Sequence, residues 1–463
     1  MTGIMKKSIK ILIKGAARLG IVWPFVLFFS RVVQEVKPDD GGVSIDKPVL
    51  LALNPDRFVS DLNILANSKY FRILKVSFKW QTVLLMLFWP SNISSLFKLK
   101  RYYNPEDNES LIKIQKQIRK FMKKFLRSLY SRLNVNCVIG AGILYPQDYE
   151  WGLVSNSIGV PYVVMHRENL YSPTFLKKGL PDIFRQMNKF AGEHIIVHNE
   201  MIKSAIIDSG IVNPEKISSL GCLRMDEYCR RIRSLNTTTN SRKTGRRRKK
   251  VAFFSFTYAS SVKSKSYDCP DEHFSKNRDS GFIDLFEHVH VTIAKLSVEY
   301  RDTEFVIKAK WGGKWIDEIE YVLNNNGYKS ENIDNLTITS DINAQDLIIE
   351  SDVICSFSST TVLEAAIAGK PVIIPNFDEA SNPVYSKYIR FKDEYNIFDI
   401  ADSVNEFEEL VINRLKNPEV SEGCMQKRYE LFEKYVSSME GDALDKYVNV
   451  INQVIKERRK LEV

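Results

Sequence analysis

The feature that most constrains the fold is a pair of alternations. Short apolar runs bounded by turn residues recur between longer stretches whose apolar positions have helical spacing. PVLLALN (48–54), NCVIG (136–140), PYVVMH (161–166), HIIVH (194–198) and KISSLG (216–221) make the first series. VAFFSF (251–256), EFVIKAK (304–310), NLTIT (335–339), DVICSF (352–357) and PVIIPNF (371–377) make the second. Near-continuous apolar runs suit strands buried on both faces. Strands that alternate with helical patterns predict parallel sheets built from βαβ units. Residues 109–134 carry Leu111, Ile114, Ile118, Met122, Phe125 and Leu129 at spacings of three and four, which is an amphipathic helix. The expected fold class is α/β, with two Rossmann-like domains.

A composition break lies between the two series. SLNTTTNSRKTGRRRKK (234–250) is polar and ends in seven Lys/Arg from Arg242 to Lys250, so it reads as a linker. A chain of 463 residues also suits two domains of about 200 residues each. The expected order is a basic apolar N-terminal segment (1–46), an N-terminal domain (47–233), the linker (234–250), a C-terminal domain (251–440) and a closing helix (441–463). No aromatic interleaving accompanies the basic run, so no nucleic-acid partner is expected.

The net charge of +10 is concentrated, since residues 51–135 hold 16 Lys/Arg against 5 Asp/Glu. Two apolar stretches, Leu19–Phe29 and Trp80–Phe97, sit among these cations. Neither suits a bilayer span, which takes about 20 predominantly apolar residues. Trp and Phe flanked by Lys and Arg suit a place in an anionic membrane interface. The expected location is therefore cytoplasmic, peripheral on the inner face of the membrane, with burial inside the fold as the alternative. The 6 cysteines show no paired or metal-ligand spacing and read as free thiols. No HExxH occurs, and no DxD follows an apolar strand, so neither a metal nor a cofactor is expected. Asp268, Asp271 and Glu272 form an acidic cluster inside a polar loop with no strand before it.

The chemistry concentrates in SDVICSFSSTTVLEAAIAGKPVIIPNF (351–377). An apolar strand ends at Phe357, and Ser358, Ser359 and Thr360 then open a helix. Hydroxyl residues cap helix starts, whose free N–H groups and positive dipole end suit a diphosphate. Glu364 follows Thr360 by one helical turn, and a carboxylate there can accept hydrogen bonds from ribose hydroxyls. An ordinary capped strand–turn–helix is the alternative.

This segment resembles the C-terminal signature of glycosyltransferases with the GT-B fold, especially bacterial surface-polysaccharide enzymes. It is also similar, more distantly, to CDP-glycerol glycerophosphotransferases and non-hydrolysing UDP-N-acetylglucosamine 2-epimerases. The resemblance implies that Ser358, Ser359 and Thr360 hold the donor diphosphate and Glu364 the ribose. Gly221, Arg224 and Asp226 match a G-x-x-R-x-D motif that ends the N-terminal domain in such enzymes, at the hinge and cleft. VAFFSFTYASS (251–261) resembles the first strand and loop of their C-terminal domain, which places Ser255 and Thr257 toward the donor. Many relatives have His-Pro after the next strand, whereas this chain has Lys308-Ala309-Lys310, whose lysines can neutralise phosphate. That departure weakens the glycerophosphotransferase assignment. An epimerase assignment meets a second departure, because HREN (166–169) lies in the wrong half of the chain.

In GT-B enzymes the acceptor binds the N-terminal domain. Glu168 is the first candidate for the general base and His166 the second, since both follow the strand PYVVM; Tyr145 and Glu150 are candidates to touch the acceptor. The expected activity is sugar transfer from a nucleotide-sugar co-substrate to a lipid-linked or growing polysaccharide. The alternatives are a CDP-alditol phosphotransferase and a non-catalytic assembly protein on the same fold.

Overall fold

A computed structural model describes residues 12–42, 46–89, 109–172, 174–187, 189–237, 248–257, 281–386 and 388–460. The expected linker core (238–247), the acidic loop with Asp268, Asp271 and Glu272, Cys269 and residues 90–97 of the second apolar stretch lie outside them. The chain divides into two compact units, 1–169 with 179–227 and 435–463, and 170–178 with 228–434.

The first unit opens with helices α1 (Leu12–Arg18) and α2 (Trp23–Val32). It then builds a seven-stranded sheet of β1 (Gln34–Val36), β2 (Val49–Leu53), β3 (Arg72–Val76), β4 (Val135–Gly140), β5 (Tyr162–Met165), β6 (His194–Val197) and β7 (Ile217–Ser219). The spatial order is β1-β3-β2-β4-β5-β6-β7, parallel except for the edge strand β1. The chain runs one way from β2 to β3 and the other way from β4 onward, so the order reverses between β2 and β4. Helices α3 (Val59–Asn67), α4 (Phe78–Met86), α5 (Glu109–Leu133), α6 (Pro146–Ser157), α7 (Thr174–Arg185) and α8 (Glu200–Asp208) connect the strands. Helix α5 buries Ile118, Met122, Phe125 and Leu129 as its spacing requires.

The second unit takes in most of α9 (Asp226–Thr237) and a six-stranded parallel sheet. Its strands are β8 (Lys249–Phe254), β9 (Thr303–Lys308), β10 (Leu336–Thr339), β11 (Val353–Ser356), β12 (Val372–Pro375) and β13 (Asp399–Ala401). The order β10-β9-β8-β11-β12-β13 reverses between β8 and β11. Helices α10 (Ile283–Glu299), α11 (Lys314–Asn325), α12 (Ala344–Glu350), α13 (Thr361–Ile367), α14 (Val404–Lys416) and α15 (Glu422–Tyr435) complete it.

Two expected boundaries move. The division falls at Glu227/Tyr228 rather than at the basic stretch. Within the second unit the Tyr228 hydroxyl donates to the Glu364 carbonyl at 2.8 Å and Arg231 pairs with Asp346 at 2.7 Å, which ties α9 there. The closing helix α16 (Ala443–Lys460) is part of the first unit. Its Ala443, Tyr447, Ile451 and Val454 pack in one cluster with Leu50, Ala52, Leu62 and Ile139.

Candidate functional site

Open α/β sheets bind ligands outside the carboxyl ends of their strands, where the strand order reverses. Each unit has one such point. In the second unit it lies beyond β8 and β11, which pair in parallel with Phe254 opposite Ser356. The chain after β8 is Ser255–Thr257 and the chain after β11 is Phe357–Thr360, so the two segments expected to face a donor leave neighbouring strands side by side.

The turn after β11 is built for a close backbone approach. Ser358 has a left-handed φ of 48°, and its Oγ accepts the Arg390 N–H at 3.2 Å. Helix α13 starts at Thr361, one residue later than the hydroxyl run predicts. Ser359 does the capping, accepting the Thr361 N–H at 3.3 Å, while Thr360 at the N-cap position makes no side-chain cap bond. Glu364 lies in the first turn of α13 and is buried.

The cations sort differently from expectation. Lys308 ends β9 and its Nζ donates to the Ser340 carbonyl at 3.1 Å. Lys310 reaches the Trp311 ring at 4.6 Å, and burial together with the charge of Arg390 lowers its pKa. The Lys310 and Arg390 charges thus lie near enough to repel, while it is the Arg390 main chain that meets Ser358. Arg390 was invisible in the sequence pattern, because it follows an irregular segment after β12. Ser255 turns inward: its hydroxyl meets His290 Nε2 at 2.9 Å, and His290 Nδ1 lies 2.5 Å from the Phe286 carbonyl. That carbonyl only accepts, so Nδ1 carries the proton and Ser255 donates to Nε2. Burial pushes the His290 pKa to about 4.

In the first unit the reversal lies beyond β2 and β4. The segment after β2 supplies Arg57 and, in the first turn of α3, Asp61; that after β4 supplies Gly142, Tyr145 and, in the first turn of α6, Asp148. The end of β5 gives His166, Arg167 and Glu168, and the end of β6 His198. Asp61 and Arg167 form an ion pair. Arg57 sits over the Tyr145 ring at 5.4 Å. A Cβ on Gly142 would stand 3.2 Å from Tyr145 Cε2 and 3.3 Å from His166 Nδ1, so glycine there leaves the imidazole edge uncovered.

His166 and Asp148 are fully buried, and neither has a side-chain hydrogen-bond partner among the described residues. Buried polar groups are normally partnered. Burial pushes His166 to about 4, against a smaller opposite pull from the Glu168 backbone. Burial also raises Asp148 well above the carboxylate range, which Arg57 partly offsets. His198 is lowered by burial first, then by Arg224, Arg167 and His166. Glu168 is exposed. Asp148 escaped sequence reading, whereas Glu150 drew attention. Positions two apart on a helix face different ways, and Glu150 forms a bidentate pair with Arg119 at 2.9 and 2.7 Å.

The Gly221–Asp226 motif fastens α16. Asp226 accepts the Ala443 and Leu444 N–H groups at 3.1 and 2.7 Å, and Tyr447 donates to the Gly221 carbonyl at 3.0 Å. Gly221 has φ 84°, and a Cβ there would lie 2.4 Å from Ser437 Oγ. Arg224 acts on His198. Among the described residues no cluster of His, Cys, Asp or Glu has metal-binding geometry, and no cysteine is in a disulfide.

No family model and no curated protein matches the chain. Solved structures do resemble it at low identity. The UDP-GlcNAc 2-epimerase from Methanocaldococcus jannaschii has TM-score 0.49 and 10% identity over 87% of this chain and 99% of that one. The Neisseria meningitidis UDP-GlcNAc 2-epimerase bound to UDP-GlcNAc has TM-score 0.45 and 14% identity over 88% and 100%. A glycosyltransferase from Rickettsia africae has TM-score 0.44 and 11% identity over 89% and 99%. The structure itself shows two α/β units, each on a mostly or wholly parallel sheet that reverses strand order once.

Proposed function

We propose that this protein is a nucleotide-sugar-dependent glycosyltransferase. One observation carries the reading: the segments Ser255–Thr257 and Ser358–Thr360 leave adjacent parallel strands at the reversal of the second sheet, with the Arg390 N–H on Ser358 and the charges of Lys310 and Arg390 acting on each other. Backbone and hydroxyl donors with two cations at that position suit a diphosphate, and they stabilise a departing nucleoside diphosphate without a metal. In this reading Thr257, Ser358, Ser359 and Thr360 line the diphosphate, Lys310 and Arg390 neutralise it, and Glu364 receives the ribose. Lys308 and Ser255 hold the neighbouring backbone and His290.

The first unit supplies the acid–base groups. As the acceptor hydroxyl attacks the sugar's anomeric carbon it loses a proton, and the bond to the diphosphate breaks. The neutral imidazole of His166 accepts that proton in this reading, and the charges of Glu168 and Asp148 both act on Tyr145. A lipid-linked or growing polysaccharide is the acceptor class we favour, which fits the surface described in the next subsection.

Calorimetry of the full chain with UDP, GDP, ADP, CDP and CMP tests the proposal. Binding of a nucleoside diphosphate supports it, and CMP binding redirects the donor to an acidic sugar. A preference for CDP favours the phospho-alditol alternative. A folded protein that binds none of the five is not a nucleotide-dependent transferase. Conversion of UDP-GlcNAc to an epimer without acceptor replaces transfer with epimerisation.

A further inference from the structure

We propose that the first unit docks on an anionic phospholipid surface through one face of α1, α2 and α4. Helix α2 (WPFVLFFSRV) is apolar almost all round, but only one side is used internally. Phe25 packs edge-on against Phe121 at 5.2 Å, and Phe29 against Phe125 at 5.0 Å. The opposite side is open. Trp23 is 66% exposed, and Leu12 and Leu19, before the turn into α2, are 72% and 80% exposed. Phe28 reaches across to Trp80 of α4 at 4.7 Å, which joins the two helices, and α4 also exposes Phe78, Val83 and Met86. Scattered exposed apolar residues need no explanation, but a contiguous face marks an interaction site.

The charge around this face identifies its occupant. Residues 1–34, 62–89 and 110–147 contain no Asp or Glu. Helix α5 sets Lys113, Lys116, Lys120, Lys124 and Arg127 at spacings of three and four, all exposed and none in an ion pair among the described residues. Lys124 Nζ comes within 3.8 Å of the position a Cβ on Gly20 would take, in the turn between α1 and α2, so the stripe borders the apolar face. Lys79 stands 5.6 Å from the Trp80 ring. A second copy of the chain would bring like charge against like charge, which costs binding energy, and the cores of protein interfaces are depleted in lysine. An anionic lipid surface satisfies both the apolar side chains and the cations.

The face lies on the bilayer rather than through it. Among the described residues no single helix is long and apolar enough to cross; α1 and α2 reach that length and composition only together, and the 112° bend between them suits lying in the interface. Aromatic side chains with basic neighbours belong at the headgroup level.

Vesicle flotation of the full chain tests this independently of any catalytic reading. The protein should float with phosphatidylcholine vesicles containing about one-third phosphatidylglycerol, not with phosphatidylcholine alone, and should be released by high salt. Combined Lys116→Gln, Lys120→Gln and Lys124→Gln should lower partitioning on the order of a hundredfold, from the contribution each cation makes near such a surface. Leu19→Glu with Trp23→Glu should abolish flotation. Both variants should melt like the parent, since these side chains are exposed, and should bind nucleotide unchanged. Equal flotation with both vesicle types, or none with either, overturns the proposal. So does a concentration-dependent dimer that Trp23→Glu converts to monomer.

Discussion

The carboxyl ends of the two sheets have the same architecture and opposite contents. Both sheets reverse strand order once, and polar residues follow the carboxyl ends of the strands at and near each reversal. In the second unit those residues are hydroxyls and cations, which suits binding an anion. In the first unit they are titratable groups, His166, Asp148 and His198, each held from its ordinary pKa by burial. In the proposed reading one switch point holds charge and the other moves protons. The difference arises beyond the strand ends, because the central strands of both sheets are apolar and parallel.

The largest expected effect tests the second half of that comparison. His166→Ala should lower transfer by about 10²–10⁴-fold, the usual range for a lost acid–base group, with nucleotide affinity unchanged. Glu168→Gln should cost much less. If the two effects are reversed in steady-state assays, the exposed carboxylate is the base and His166 a packed core residue.

The pH dependence of stability comes next. His166 has a folded pKa of about 4 against 6.5 unfolded, so its contribution is present above pH 6.5 and is lost as pH falls through 4. That shift corresponds to about 3 kcal/mol. Denaturant titrations at neutral pH and at about pH 4 should show this loss shrinking in His166→Gln. His198 and His290 add in the same direction. Asp148 works the other way. Its folded pKa is raised, so its contribution is present below the ordinary carboxylate value and is lost as pH rises. Asp148→Asn should therefore stabilise the protein more at neutral pH than at acid pH. An unchanged pH profile in both variants would mean that these side chains find partners in solution.

The smallest effect falls on the other switch point. Ser359→Ala combined with Glu364→Ala should weaken nucleoside diphosphate binding about 10- to 100-fold, as expected for a few hydrogen bonds to charged groups. The double variant should leave the acid dependence of stability as it was. If nucleotide binding is untouched in calorimetry, the turn after β11 is a structural cap and the anion sits elsewhere.

Most strands were legible because burial on both faces writes a near-continuous apolar run, as VAFF and VICS do. The strands β1, β3 and β13 were not, because QEV, RILKV and DIA carry charges that positions at or next to a sheet edge tolerate. Helix α12 begins where Asn343 caps it, accepting from the Gln345 and Asp346 N–H groups. The hydroxyl turn of Ser358–Thr360 was readable because its function is local, a strand end and a helix start.

Local pattern could not reveal groups assembled from distant segments. Asp148 lies in the first turn of α6, and only the packing of β2, β4 and β5 places it with Arg57 and His166. Arg390 reaches Ser358 from 32 residues away. Asp226 drew notice as part of a motif, yet its partners are the N–H groups of Ala443 and Leu444, more than 200 residues on.

The amino-acid order by itself determined two parallel α/β units, one hydroxyl-rich turn and one strongly basic, acid-poor region. Apolar periodicity, capping and net charge act within a few residues and survive in any arrangement of the chain. Only the tertiary structure decided which polar groups lose water and which keep it. Burial of His166 and Asp148, exposure of Glu168 and Trp23, and the inward turn of Ser255 depend on what lies across the sheet, and desolvation is a property of surroundings that one segment does not carry.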